Sequence, residues 1–214
     1  MGNLLTRTTP LAFGAALSPT MLVVVFLMLA GPVHPRRRAA GFGLGAGLVL
    51  VLVGAAVLVF MRRSVVHDRH LYDWADIALA LAAAVVAVRQ LVVPPTPHRA
   101  APDTGAGRAG VERSFVLGAA MMATNFSTLV LYVAAMKDTA AARVAKAGVI
   151  VFVFVVTSAM LWVPLLFAAP ASRVADEWVR PIDAFARRHA RPISVAVPGV
   201  FAIFLLVKGA RGLS

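Results

Sequence analysis

Two short polar stretches interrupt apolar runs, and they hold the residues best placed to do chemistry. One is Ser18-Pro19-Thr20; the other is Thr124-Asn125-Phe126-Ser127-Thr128. Each lies near the middle of a run of about 20 apolar residues, the length that crosses a bilayer as a helix. Hydroxyls and an amide at that depth have little water to bond. They must bond one another, the backbone or a ligand. None is a charged group or a strong base, so the chemistry they offer is recognition by hydrogen bonding. Ser18, Pro19, Thr20, Thr124, Asn125, Ser127 and Thr128 are therefore the candidate substrate-binding residues. The plainer use of the same residues is a network that links helices, contributing about 0.6 kcal/mol per bond in a membrane.

Ionisable residues add one more candidate. Asp73 and Asp76 share a face near the start of the apolar run 71–93. Carboxylates inside a membrane are costly and mark ion or proton pathways. Asp76, about one turn inside the boundary, is the better coupling candidate, with Asp73 beside it. The plainer reading is a pair of hydrated first-turn acids favoured by the helix dipole. His67-Asp68-x-His70 offers too few ligands for a closed metal site. His34, His67, His70, His98 and His189 all fall in loops or near span ends, which leaves no general base in the core. No metal, no cofactor and no enzymatic activity are expected. The chain has no cysteine, so thiol chemistry is excluded.

These residues are positioned by a membrane protein. The 214 residues are 60% hydrophobic and only 14% charged, with a mean hydropathy of +0.85. A soluble domain would carry roughly 25% charged residues. The formal charge is +12, but the basic residues sit in short loops between apolar runs. That placement suits anionic lipid headgroups rather than nucleic acid.

The pattern predicts an all-α integral membrane protein of six transmembrane helices, at about 10–30, 39–61, 71–93, 115–136, 141–169 and 193–208. Pro19 is expected to kink the first helix, and Pro198 with Gly199 the last, giving two hinges. Gly41, Gly43, Gly45 and Gly47 give the second helix two small-residue faces. Such faces admit a close neighbour, either within the chain or in a homodimer. Residues 172–188 are amphipathic, with Val174, Trp178, Ile182 and Phe185 on one side, and read as a short interfacial helix. The Pro-rich stretch from Pro94 to Arg113 reads as a linker. The chain thus divides into 1–93, a first three-helix repeat; 94–113, a Pro/Gly-rich linker; and 114–214, a second repeat with the interfacial helix. An odd-numbered block repeated once must be inverted relative to its first copy, and inverted repeats with a midplane site are a common transporter plan.

Pro19 in the first helix, the Arg36-Arg37-Arg38 loop leading into Gly41, and Gly118 followed by Asn125 form a pattern over nearly the whole chain. It resembles the lysine-exporter (LysE) superfamily of small six-helix exporters, and most closely the GAP-type (glycolipid-addressing protein) family. The amino-acid exporters of that superfamily carry proline-containing breaks in helices one and four. Pro19 and Asn125 match those breaks, whereas Thr20, Phe126 and Ser127 stand where glycine, proline and lysine are usual. The resemblance implies export or flipping of a cell-envelope glycolipid across the bacterial inner membrane. A hydroxyl at Ser127 in place of a cation suits an amphipathic substrate better than a free amino acid. The other functions it leaves open are export of a small polar solute or metal cation, and a non-transporting subunit of lipid-export machinery. Membrane lipids are the expected partners in each case.

Overall fold

A computed structural model describes residues 2–29, 33–64, 70–92, 108–141, 146–167, 192 and 195–211. Almost all of them are helical. In chain order the elements are α1 (Gly2–Ala16), α2 (Pro19–Leu29), α3 (Pro35–Ser64), α4 (His70–Val92), α5 (Arg108–Thr124), α6 (Phe126–Ala141) and α7 (Lys146–Phe167). Residues 195–211 form a further helix, α8. No strand occurs among the described residues.

Leu11, Val25, Phe42, Leu50, Tyr132, Val153 and Leu205 form the centre of the core, drawn from α1, α2, α3, α6, α7 and α8. Large apolar side chains also cover the outside. Leu52 and Phe60 of α3, Leu81 and Val85 of α4, Leu166 of α7 and Ile203 of α8 are all more than half exposed. An apolar exterior on this scale is the surface of a protein whose solvent is lipid. Pro35–Met61 and Trp74–Val92 are long and apolar enough to cross a membrane. Two bent pairs, α1 with α2 and α5 with α6, raise the number to four if each pair is one span, by length and composition.

The glycines of α3 explain its most intimate contacts. A methyl group at Gly45 would collide with the backbone carbonyl of Phe115, and one at Gly118 with that of Phe42. At Gly41 it would stand 2.9 Å from the Val111 carbonyl oxygen. Gly41, Gly45 and Gly118 thus let α3 and α5 meet backbone to backbone. The other glycine face is turned to α7, where Gly43 faces Trp162 and Gly47 faces Phe154. Both faces are filled within the chain, so a homodimer through them would have to displace α5 or α7.

Several boundaries differ from those expected. The first helix starts earlier than the expected residue 10: α1 runs back to Gly2 through Thr8, which is fully buried. The helix after the linker begins at Arg108, inside the stretch 94–113; Arg108, Ala109, Glu112 and Arg113 are good helix formers. The amphipathic segment 172–188 lies outside the described residues.

Candidate functional site

The first polar stretch is a break rather than a kink. α1 stops at Ala16, and Leu17 and Ser18 are not helical. The amide of Ser18 donates to the Ala16 carbonyl at 2.8 Å, which closes α1 tightly. Ser18 then occupies the N-cap position of α2, its carbonyl accepting from the Leu22 amide at 3.2 Å, with Pro19 at the first helical position. Proline is favoured there because its missing N–H would have had no partner anyway. The two half-helices meet at 49°. A proline in mid-span was expected to bend one helix; instead it starts a new one.

The second stretch has the same construction. Asn125 is the single non-helical residue between α5 and α6, which bend by 72°. Its Oδ1 accepts from the Thr128 amide at 3.4 Å and from the Ser127 hydroxyl at 2.9 Å. Asparagine is among the best N-cap residues, and a side-chain oxygen bonded three residues on is how it caps. Its Nδ2 is left free to point elsewhere, and it donates to Ser18 Oγ at 2.8 Å. One side chain therefore caps α6 and fastens it to the cap of α2, 107 residues away.

The remaining candidates divide. Ser18, Asn125, Ser127 and Thr128 come together at this junction. Thr124 does not. Its hydroxyl donates back to the Ala120 and Met121 carbonyls at 2.9 and 3.2 Å, closing the end of α5. Thr20 is exposed on α2. Pro198 is buried and Gly199 is open on one side, but α8 runs unbroken from 195 to 211.

Asp76 is not a hydrated first-turn acid. It is 2% exposed and belongs to a group of four charges. Asp76 Oδ1 is 2.6 Å from Lys137 Nζ on α6, and Asp76 Oδ2 is 3.2 Å from Lys208 Nζ on α8. Lys208 also holds Asp138 at 2.5 Å, and Lys137 lies 3.9 Å from Asp138. Two carboxylates and two ammonium groups sum to zero charge. That balance lets them be buried at all, since an isolated ion there would cost several kcal/mol. Asp73 lies on α4, but its side chain is outside the described residues. Lys137, Asp138 and Lys208 read in the sequence as ordinary helix-end charges. The signal that could have singled them out is composition: lysine occurs only three times among 21 basic residues, and two of the three are here.

Lys137 is 12 residues beyond Asn125, about 18 Å along α6. One helix thus has the neutral junction at its start and the charged group in its last turns. Among the described residues no cluster of three or more metal-ligating side chains occurs. No curated protein and no solved structure matches the chain. A family model does, that of Sap, the sulfolipid-1-addressing protein, and it matches residues 9–211. The chain therefore belongs to the sulfolipid-1-addressing protein family, a family of lipid-addressing membrane proteins.

Proposed function

We propose that this protein exports or flips an amphipathic cell-envelope lipid across the bacterial inner membrane, without catalysing a reaction. The carrying observation is the Ser18–Asn125 hydrogen bond, which joins the caps of two broken helices. Discontinuous helices whose N-termini converge at mid-membrane are the usual construction of a transporter's binding site. The positive ends of α2 and α6 favour an anionic group there, and a sulfolipid headgroup is anionic. The family supplies that lipid class.

The same reading extends to the architecture. The bent pair α1/α2 followed by α3 and α4 corresponds in order to the bent pair α5/α6 followed by α7 and α8. If α7 and α8 are spans as well, beyond the four that length and composition allow, the chain would form two inverted units of three, the plan of the lysine-exporter superfamily and its GAP-type branch. Ser18, Asn125, Ser127 and Thr128 would then bind the headgroup, with Asp76 on the coupling pathway.

The test compares a deletion strain with strains restored by the native protein or by Asn125→Ala, profiling surface lipids and intracellular amino acids and metals. One lipid class should leave the surface on deletion and return with the native protein. It should fail to return with equally abundant Asn125→Ala. Unchanged surface lipids with a polar solute accumulating inside would move the protein to the solute exporters. Lipids that depend on the protein but not on Asn125 would make it a docking subunit of a larger lipid-export machine.

A further inference from the structure

We propose that the seam between α4 and α6 is a lateral gate that admits a lipid with an anionic headgroup, and that Asp76 is its latch. This rests on the lipid-export reading for its purpose; the latch and its opening are properties of α4 and its neighbours. The outer side of α4 faces lipid, with Leu81, Val85, Val88 and Val92 all more than half exposed. Its buried side is one helical stripe, Asp76, Ala80, Ala83 and Ala87. Of α1–α7, the helix it mainly packs on is α6. Asp76 near the start of α4 meets Lys137 near the end of α6, so the two helices run antiparallel. Back from Lys137 along the same face of α6 lie Val133, Val130 and Phe126. Phe126 adjoins Asn125 and is 52% exposed. The seam therefore leads from the charged group at one end to the Ser18–Asn125 junction at the other.

Apolar contacts between helices have no hydrophobic driving force in a membrane, because lipid tails are as apolar as the helix. Alanines offer no long side chains to interlock, so lipid can replace the contacts of Ala80, Ala83 and Ala87 at little cost. Asp76 is different. Its carboxylate holds Lys137 on α6 at 2.6 Å and Lys208 on α8 at 3.2 Å. It is the one member of the charged group that α4 contributes, so it leaves when α4 swings out. Lying in the second turn of α4, it moves towards the headgroup layer, where it is hydrated. Lys137 and Lys208 are then left with Asp138, two positive charges against one negative. An uncompensated buried charge is costly, so the seam stays shut beside neutral lipid. A sulfate ester or phosphodiester headgroup brings the missing negative charge. It takes the place of the carboxylate on the two lysines, and its tails lie along the alanine stripe. The latch thus selects for charge: an anionic lipid can open it and a neutral one cannot.

The chain has no cysteine, so two can be introduced without background. Ala80→Cys and Val133→Cys lie one turn from Asp76 and Lys137 on the same faces and put a thiol on each side of the seam. In nanodiscs of phosphatidylcholine a short bifunctional methanethiosulfonate should join the pair readily. Adding phosphatidylglycerol should lower the yield about fivefold or more, the lower end of a typical coupling between linked sites. Inorganic sulfate without anionic lipid should leave the yield unchanged. Asp76→Asn with Lys137→Gln removes the latch and keeps the group neutral through Asp138 and Lys208. Its yield should be low in both lipids, and its neutrality avoids the loss of stability expected of Asp76→Asn alone. In cells, closing the cross-link should stop the return of lipid to the surface, and a reductant should restore it.

A yield that ignores anionic lipid overturns the gate and leaves a static ion network. A yield lowered equally by sulfate also overturns it, because the anion then arrives from water and not through the seam. So does a low yield in neutral lipid with the latch intact, since the two faces would not be apposed. Export that continues with the seam cross-linked defeats the gate and spares the lipid reading. Surface lipids unchanged on deletion, together with a yield that falls in anionic lipid, defeat the lipid reading and leave the latch standing.

Discussion

The junction at Ser18 and Asn125 and the charged group around Asp76 are both polar islands in an apolar protein, but they are built on opposite terms. The junction is neutral, and most of its bonds would exist in any well-capped helix. Asn125 spends one oxygen on α6 and has a single amide left for Ser18. The charged group is tied together by ion pairs between opposite charges on α4, α6 and α8. Losing one member of the junction removes a bond. Losing one member of the charged group strands an ion. The first kind of site tolerates rearrangement, whereas the second is stable only when complete.

The largest test of that contrast is Asp76→Asn. It leaves Lys137, 2% exposed, without its 2.6 Å partner and should cost about 3–5 kcal/mol. Unfolding in detergent, followed by helical circular dichroism, would show it. A loss below 1 kcal/mol would mean that the group is hydrated and that the contrast fails. Next comes Gly45→Ala, which touches neither region but forces α3 off the Phe115 carbonyl. An overpacked contact of this kind costs about 1–3 kcal/mol. It sets the scale for a purely steric loss on the same melting curve. Asn125→Ala should cost about 1–2 kcal/mol by removing a cap and one link, yet it should abolish lipid export. If export survives, the junction is structural and the functional weight passes to the charged group. Ser18→Ala loses only the link and should cost about 0.6 kcal/mol, with a partial export defect in the same lipid profile. The smallest effect belongs to Thr124→Ala, within about 0.5 kcal/mol, because its hydroxyl is already turned back on α5.

The two regions also differ in how legible they were. Ser18 and Asn125 stand alone in apolar runs, and depth in the membrane made them conspicuous at once. Their pairing, and the fact that each is a cap, needed the fold. A mid-run proline reads equally as a kink or as the first residue of a new helix, and only the bends of 49° and 72° decide between them. Lys137, Asp138 and Lys208 were hidden by convention, since charges near span ends are expected to face headgroups. Nothing local distinguishes a lysine that reaches water from one that reaches a carboxylate 132 positions away, as Lys208 does to Asp76. Helix content, the membrane class and the close-packed glycines followed from periodicity and composition. The intrachain use of those glycines did not, because spacing shows that a face is smooth and is silent on what lies against it.

Along the contact of α3 with α5 there is backbone on both sides at Gly41, Gly45 and Gly118. A joint between side chains can slip by changing rotamers, but at Gly45 and Gly118 the facing atoms are all backbone. A shift along it drives a carbonyl oxygen into a Cα. Since α3 comes before residues 93–107 and α5 after them, the two halves of the chain are keyed together like tongue and groove. The pair makes a keel, and on the proposed transport reading the working stroke belongs to the helices that do not share it.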